Sequence, residues 1–442
     1  MISRFFKPAS FLLIIALLSL SCSDRGSYSV KSDVDEKGII AGLGADHVFD
    51  FPGLYFQPRN SPGMQKMAIY APKRFFDQGQ PLPVLVLLPP AFGTQYYYFE
   101  RGLYELAEDM IQKGEIKPMI IVCLTNESSF GGSFFANSIP GGFYDNILGG
   151  QLLDHIKDRL DIVLPQTSKH GIGGIGMGGY GAFRAAIKSP GVYGSVSAND
   201  GPLDFDGPTG NSGLKNLFVR ASNEPLNAST DTVASFSKRF RTTVNSPIVN
   251  PATIPLSMLF TGGSLAFSPN DTNATLGTIL DRDVIINGVL VHTRLSVTLS
   301  SPNTIGATAS KVDSIFSVTL HPTSGGGRHY FGIHLPYDSM GAINQPIWDM
   351  WMDNDLAQLH EDAVSNKPLY GVNIFMASTP EAADGYYDMT QSWKNYLRGI
   401  YGIGRVQEYS YSGRLGNPAT KDQYVNDLLR EMLMFHSKNF QE

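Results

Sequence analysis

A glycine-rich run, 171–181, contains the residues whose types and spacing could do chemistry. Gly171, Gly173 and Gly176 satisfy the pattern G-x-G-x-x-G of a dinucleotide site, and Asp200 follows where a ribose-binding acid could stand. That motif requires an apolar strand directly before its first glycine. Residues 164–170 are mostly polar and include Pro165, so they predict no buried strand. We therefore expect no nucleotide cofactor, and no cofactor of another kind.

The same run also fits the nucleophile elbow of hydrolases, G-x-S-x-G. Residues 174–178 keep the outer glycines of that motif, which let a strand and a helix approach closely, but Gly176 stands in place of the serine. The elbow holds its central residue in a strained backbone conformation, which glycine tolerates better than serine does. The other interpretation is a glycine-rich turn that never held a site.

Stretches on both sides of this turn predict the elements that must position it. Val84–Leu88 is a continuous apolar run, typical of a central strand covered on both faces. Further apolar runs predict strands, and apolar residues at helical spacing predict helices. The predicted strands are 119–124, 170–175, 194–198, 370–377 and 406–411, and the predicted helices are 97–113, 147–160, 180–188, 391–401 and 424–440. This alternation indicates an α/β fold.

The alternation is interrupted between Asp200 and about Pro368. Residues 213–241 predict helix, and residues 283–321 alternate as antiparallel strands around an Asn-Gly turn. We therefore divide the folded chain into a core, 42–205 and 366–442, and an insertion, 206–365. Insertions at the strand ends of such sheets usually form the roof of the ligand crevice.

Several segments resemble the putative esterase family of α/β-hydrolases, which has esterase D-like and feruloyl-esterase-like members. The segments are 84–93, 133–138, 174–182 and 199–205, and two more, 266–270 and 347–355, resemble members with a long insertion. The resemblance covers most of residues 65–440 and leaves out a hairpin-rich part at about 280–325. It implies the α/β-hydrolase fold, with a mostly parallel central sheet, helices on both faces, and a cap-like insertion between the sixth strand region and the C-terminal strands.

The resemblance also implies three catalytic positions at which this chain has unsuitable residue types. The nucleophile falls on Gly176, which has no hydroxyl group. The histidine base falls on Arg414, which stays protonated at physiological pH and cannot accept a proton. The oxyanion-loop position falls on Pro90, which has no N–H to donate.

The acid of the triad follows the next-to-last predicted strand, where either Asp384 or Glu381 could occupy it. An ion pair between Asp384 and Arg414 could replace an earlier acid–base couple. No histidine lies between His360 and His436, and for His436 we expect a packing or surface role. Because the members of a triad act as a unit, we expect no serine-esterase activity.

A metal site is a weaker candidate. His329 and His334 precede a segment that contains Asp349, Asp353 and Asp355. Their spacing fits no defined ligand loop, and a solvated helix face with polar loop residues explains them equally well. We therefore expect no metal.

The N-terminus resembles a bacterial lipoprotein signal. Arg4 and Lys7 precede an apolar stretch, 11–20, that is too short to span a bilayer, and Cys22 follows it. Ser19 departs from the usual leucine, and an ordinary secretory signal with a chance cysteine is the other interpretation. We expect a signal peptide at 1–21, lipid attachment at Cys22, a polar tether at 22–41, and a location at the outer membrane or cell surface of a Gram-negative bacterium.

Composition excludes several classes of protein. The 442 residues include 34 Lys plus Arg and 40 Asp plus Glu, which gives a net charge of −6, and 42% of the residues are hydrophobic. This balance is globular, and a mildly acidic chain has no basic surface for nucleic acid. Two cysteines exclude a disulfide framework and a cysteine-ligated zinc site, and Cys123, inside an apolar run, is predicted to be a buried thiol.

Together these features predict a lipid-anchored, esterase-family protein that has lost hydrolysis and binds a carbohydrate or an acylated glycan. The ligand class is inferred from the family. The aromatic run 96–99 either lines the ligand crevice or packs at the start of a helix. The alternatives are an active ester hydrolase with a displaced nucleophile from the insertion, and a structural partner in a surface lipoprotein complex.

Overall fold

Strands and helices alternate along the chain. The computed structural model describes residues 47–50, 57–58, 64–72, 81–91, 93–126, 132–138, 142–160, 163, 170–207, 213–219, 256–270, 279–286, 289–296, 319–322, 332–333, 336–337, 341–364, 367–380, 385–411 and 418–440. The predicted signal peptide, Cys22 and the tether lie outside these residues. In the part of the chain that is described, no helix is long and apolar enough to cross a membrane.

The strands and helices have the following bounds. The strands are β1 (His47–Asp50), β2 (Gln57–Pro58), β3 (Met64–Tyr70), β4 (Val84–Leu88), β5 (Ile120–Leu124), β6 (Asn137–Ser138), β7 (Gly142–Phe143), β8 (Gly171–Ile175), β9 (Ser195–Asn199), β10 (Pro269–Asn270), β11 (Ile279–Ile286), β12 (Val289–Ser296), β13 (Thr319–Pro322), β14 (Gly332–Ile333), β15 (Asn373–Ser378) and β16 (Val406–Ser410). The helices are α1 (Leu103–Gln112), α2 (Leu152–Arg159), α3 (Met177–Lys188), α4 (Leu256–Phe267), α5 (Gln345–Met352), α6 (Leu356–Glu361), α7 (Tyr386–Tyr401) and α8 (Pro418–Asn439).

Among the described residues, eight strands form the main sheet, in the order β1-β3-β5-β4-β8-β9-β15-β16. The pairs β1–β3 and β3–β5 are antiparallel, and all other neighbouring pairs are parallel. The predicted α/β fold with a mostly parallel sheet is therefore confirmed. Because β4, β8, β9, β15 and β16 run in the same direction, the loops that follow them leave one edge of the sheet, here called the carboxyl edge.

Each central strand buries both of its faces. Val84, Val86 and Leu88 of β4 pack on one face with α2, α3 and α7, whereas Leu85 and Leu87 pack on the other face with α1 and α8. This two-sided burial explains why the strand reads as a continuous apolar run. Cys123, on β5, is buried as predicted, and burial raises the pKa of its thiol.

Two glycines of the G-x-G-x-x-G pattern make room for a histidine. His436, on α8, is fully buried over β8 and β9, and its Nδ1 and Nε2 lie 2.7 Å and 2.8 Å from the hydroxyl oxygens of Ser195 and Ser197. A Cβ at Gly171 would lie 2.5 Å from Nδ1, and one at Gly173 would overlap the Ser197 hydroxyl. Both glycines lie inside β8 and not in a phosphate-binding turn, so packing explains them.

Helices α4 and α5 of the insertion share the core of the main sheet. Phe267 of α4 and Trp348 and Trp351 of α5 pack with Tyr180 of α3 and with Phe205, which follows β9. We call these five side chains, together with Phe134, the aromatic cluster. The antiparallel strands predicted within 283–321 are confirmed, because β11 pairs with β12 and β12 with β13. Of the helix predicted at 213–241, only residues 213–219 are described, and these are helical.

Polar contacts also tie the insertion to the core. Arg184 of α3 donates two hydrogen bonds to Asp145, 2.7 Å and 2.9 Å long, and a third to the Asn354 side chain, 2.9 Å long. Asp355 caps α6 and also accepts a 2.7 Å hydrogen bond from the backbone N–H of Phe205. Its carboxyl group is buried, which raises its pKa to about 7. The aspartates around the two tryptophans therefore include one with a structural role.

Replacing Gly173 by alanine should destabilise the fold, because the added methyl group would overlap the Ser197 hydroxyl and lie 2.9 Å from the methyl carbon of Met432. We expect the free energy of unfolding to fall by about 1–3 kcal/mol, the usual cost of overpacking. Gly399→Ala is the matched control, because Gly399 lies in α7 and nothing lies within 4 Å of its added Cβ. Urea denaturation measures both variants, and an unchanged stability of Gly173→Ala would contradict this account of the packing.

Candidate functional site at the carboxyl edge

Gly176 forms the turn between β8 and α3 by itself. Its backbone angles are φ 59° and ψ −120°, a combination that costs energy for any residue with a side chain. A Cβ built on Gly176 would lie 3.5 Å from Pro90 Cβ and 3.7 Å from the carbonyl oxygen of Asp200, which are ordinary contact distances. A side chain at this position would therefore have space, and it would point between the ends of β4 and β9.

The flanking glycines have the opposite property. A Cβ at Gly174 would overlap the backbone of Gly178, and one at Gly178 would overlap the carbonyl group of Leu88 at the end of β4. The first turn of α3 therefore lies directly against the sheet backbone. Gly176 completes the turn by donating its N–H to the carbonyl oxygen of Asn199, 2.8 Å away.

The loop after β5 is fastened to the residue that follows Gly176. Asn126 Nδ2 donates to Met177 Sδ over 3.1 Å and to the carbonyl oxygen of Pro90 over 3.3 Å. Asn126 Oδ1 accepts a 3.0 Å hydrogen bond from the N–H of Ser133, and the N–H of Phe134 lies 3.3 Å from Met177 Sδ. One buried amide thus holds together three segments that reach the carboxyl edge.

Two residues in this loop have strained backbones. Phe134 and Phe135 have φ values of 51° and 49°, in the left-handed region that is unfavourable for aromatic residues. Phe134 packs into the aromatic cluster, and Phe135 packs against Gly181 of α3, where a Cβ would lie 2.7 Å from Phe135 Cβ. Packing on both rings compensates for the backbone cost, and strain of this kind is concentrated at functional sites.

Asp200 connects the ends of three parallel strands. It is the first residue after β9, and its carboxylate accepts hydrogen bonds from the Tyr411 hydroxyl and from the N–H of Thr379, the latter 3.3 Å long. Thr379 follows β15 directly and Tyr411 follows β16 directly. Asp200 is only 1% exposed, and its φ of 35° is again strained. The sequence indicated Asp200 only as a ribose-binding acid, because the side chains near it depend on the strand order.

The buried Ser–His contacts lie below this edge. Ser197 pairs with Gly173, three residues before Gly176 in β8, on the face that α8 covers. A serine hydrogen-bonded to an imidazole is the couple that activates a nucleophile. Burial, however, lowers the pKa of His436 to about 3 and encloses all three side chains. The packing role expected for His436 is confirmed, and a surface role is excluded.

Several predicted site residues lie outside the described residues. These are Glu381, Asp384, Arg414, His329 and His334. Glu381 and Asp384 follow β15 and Arg414 follows β16, so both loops leave the carboxyl edge at which Gly176 and Pro90 lie. Whether these side chains reach Gly176 stays a prediction. Among the described residues, no group of three His, Cys, Asp or Glu side chains could hold a metal ion.

The aromatic run 96–99 takes part in packing. Tyr98 is fully buried and donates a 2.7 Å hydrogen bond to the carbonyl oxygen of Leu88. The guanidinium carbon of Arg101 lies 3.9 Å from the centre of the Tyr97 ring. Of the two roles that the sequence leaves open for this run, Tyr98 has the packing role.

Comparison with known proteins finds a family match for the segment that contains the elbow. Residues 62–256 match the model of the family described as "Putative esterase". This part of the chain, somewhat less than half of it, is similar to that family. The matched segment contains Pro90, Gly176 and Asp200, whereas Tyr411 and Arg414 lie beyond it. No curated protein matches the chain.

Similar solved structures include three hydrolases. A ferulic acid esterase has 14% identity and a TM-score of 0.47, and the match covers 90% of this chain and 97% of that one. FphF, a fluorophosphonate-binding serine hydrolase of Staphylococcus aureus, has 14% identity, a TM-score of 0.43, and coverage of 88% and 98%. An S-formylglutathione hydrolase from Agrobacterium tumefaciens has 10% identity, a TM-score of 0.42, and coverage of 87% and 94%.

Alanine substitutions at Gly176 and Gly178 should separate the two roles of glycine in this turn. Gly176→Ala should cost about 1–3 kcal/mol of unfolding free energy, because only the backbone conformation opposes it. Gly178→Ala should cost more, because its Cβ would overlap backbone atoms of Leu88 that cannot move aside. Thermal unfolding of purified variants measures both effects. A larger loss for Gly176→Ala than for Gly178→Ala would contradict the described turn.

Proposed function

We propose that this esterase-family α/β-hydrolase binds a carbohydrate or an acylated glycan at its carboxyl edge and does not hydrolyse it. One observation carries the proposal: Gly176 has the strained backbone and the free side-chain direction of an elbow nucleophile, but it has no hydroxyl group. Without a nucleophile at this position, no acyl-enzyme intermediate can form there. The ligand class rests on the family resemblance.

Two further features support the absence of hydrolysis. Pro90, which faces Gly176, cannot donate an N–H to a developing oxyanion. The predicted base position, Arg414, is permanently charged.

The natural protein should hydrolyse p-nitrophenyl acetate and methyl ferulate only at the background rate, and so should Gly176→Ser. The added hydroxyl fits sterically, but a serine without an adjacent base is a weak nucleophile. Each remaining defect is expected to cost about two to four powers of ten in rate, and such costs are not additive. The double variant Gly176→Ser with Arg414→His is the smallest change expected to give measurable turnover. Steady-state assays measure all three proteins, and robust turnover by the natural protein would overturn the proposal.

A second candidate function is ester hydrolysis with a displaced nucleophile. The observation that favours it is the pair of hydrogen bonds between the His436 ring nitrogens and the hydroxyl groups of Ser195 and Ser197. Access is the difficulty, because these groups are enclosed by β8, β9 and α8. If natural protein showed turnover that Ser197→Ala or Ser195→Ala abolished while leaving the melting temperature near that of the natural protein, this candidate would replace the first.

We also propose that the protein is anchored in the cell envelope through a lipid on Cys22. Cys22→Ala should therefore move the full-length protein from the membrane fraction to the soluble fraction, because the acyl chains supply most of the membrane affinity. Fractionation followed by immunoblotting measures the change, and Cys123→Ala is the matched control because that thiol is buried. A Cys22→Ala protein that stayed in the membrane fraction would contradict the anchor.

A further inference from the structure

Asp200 and Tyr411 form a polar pair that the proposed function does not explain. Asp200 directly follows β9 and Tyr411 directly follows β16, and β15 lies between these two strands. The Tyr411 side chain therefore crosses over the end of β15, and its hydroxyl donates to the Asp200 carboxylate. The backbone N–H of Tyr411 donates to the carbonyl oxygen of Ser378 over 3.3 Å, which fixes the start of the side chain at the same edge.

We propose that the Tyr411 hydroxyl, held by Asp200, is the polar group with which this site contacts its ligand, and that the ligand offers it a hydroxyl group, as a sugar does. The inference rests on the proposed function for the ligand class. The position of the pair beside Gly176 is independent of that class.

Contacts with the turn place the backbone of Asp200 at the elbow. The carbonyl oxygen of Asp200 lies 3.7 Å from the position of a Cβ on Gly176, and Gly201 packs directly against the carbonyl group of Gly176. The backbone of Asp200 therefore forms one wall of the turn, and its carboxylate is bound by groups that follow β15 and β16.

The backbone of Asp200 is strained, although a turn in the chain does not require strain at an aspartate. We take the strain as a sign that the position of the Asp200 carboxylate matters for function. Aspartate tolerates a positive φ better than most residues, but the conformation is still unfavourable. The buried carboxylate accepts hydrogen bonds from Thr379 and Tyr411, and removing such partners from a buried charge is costly. Tyr411 itself is only partly buried.

The direction of the hydrogen bond selects the chemistry of the ligand. Because the phenol proton points to Asp200, the Tyr411 oxygen offers lone pairs, which a negative partner makes more strongly accepting. A sugar hydroxyl can donate to that oxygen, whereas an ester carbonyl cannot. The Tyr411 ring is stacked with Tyr409, with ring centres 6.4 Å apart, so Tyr409 supports the Tyr411 ring from behind.

The claim that the ligand contacts Tyr411 through a hydroxyl group is tested with saccharides whose hydroxyl groups are either free or acetylated. Titration calorimetry would use the natural protein with xylotriose, cellotriose and maltotriose, each free and fully O-acetylated. We expect binding of at least one free saccharide, loss of binding on acetylation, and about ten-fold weaker binding by Tyr411→Phe. Tyr409→Phe is the matched control on the same strand and should change affinity less than two-fold. Equal affinity of Tyr411→Phe and natural protein, or equal binding of the acetylated saccharide, would overturn the inference.

A second measurement needs no ligand. In Gly176→Cys, the rate at which iodoacetamide alkylates the introduced thiol at pH 7 depends on its pKa, which a nearby carboxylate raises. Adding Asp200→Asn should speed alkylation, and adding Tyr411→Phe should slow it because the carboxylate loses its hydrogen-bond donor. Peptide-level mass spectrometry resolves this thiol from Cys123, and melting curves show whether each variant is folded.

The two measurements separate two kinds of failure. Alkylation rates that change with neither Asp200→Asn nor Tyr411→Phe would show that the pair does not face Gly176 and would overturn the inference. If these rates change as expected but the natural protein binds none of the free saccharides, the proposed ligand class fails and with it the sugar contact, while the position of the pair beside Gly176 stands.

Discussion

The site depends on the close approach of α3 to the ends of β4 and β8. The backbones of Gly174, Gly178 and Leu88 are so near one another that neither Gly174 nor Gly178 could carry a side chain. Gly176 forms the strained turn between these two close contacts. Met177, the next residue, accepts a hydrogen bond from Asn126, which also binds the carbonyl oxygen of Pro90 and the N–H of Ser133, just before the strained Phe134 and Phe135.

The insertion stabilises this arrangement from outside the sheet. Trp348 and Trp351 are buried with side chains of α3 and of the segment that follows β9, so the aromatic cluster joins the insertion to both sides of the turn. Asp355 adds a polar contact to the same segment through the N–H of Phe205. The core beside the main sheet and the helices α4, α5 and α6 of the insertion therefore pack together.

Much of this fold could be predicted from the sequence because its signals are local. The apolar run Val84–Leu88 predicts a strand buried on both faces, and the spacing of Gly174, Gly176 and Gly178 predicts a tight strand-to-helix turn. The pairs that are distant in sequence could not be predicted. Asp200 meets Tyr411 only because β15 and β16 follow β9 in the sheet. For the same reason, the sequence did not predict that Gly171 and Gly173 make room for the His436 imidazole on α8.

The central claim is that the turn at Gly176 has no working nucleophile and that the buried serines do not replace it. The most direct measurement is intact-protein mass spectrometry of the natural protein after incubation with a fluorophosphonate, which modifies serines that are activated by a base. The account predicts no added mass on the folded protein. A stoichiometric adduct on any serine, and above all on Ser195 or Ser197 beside His436, would contradict it.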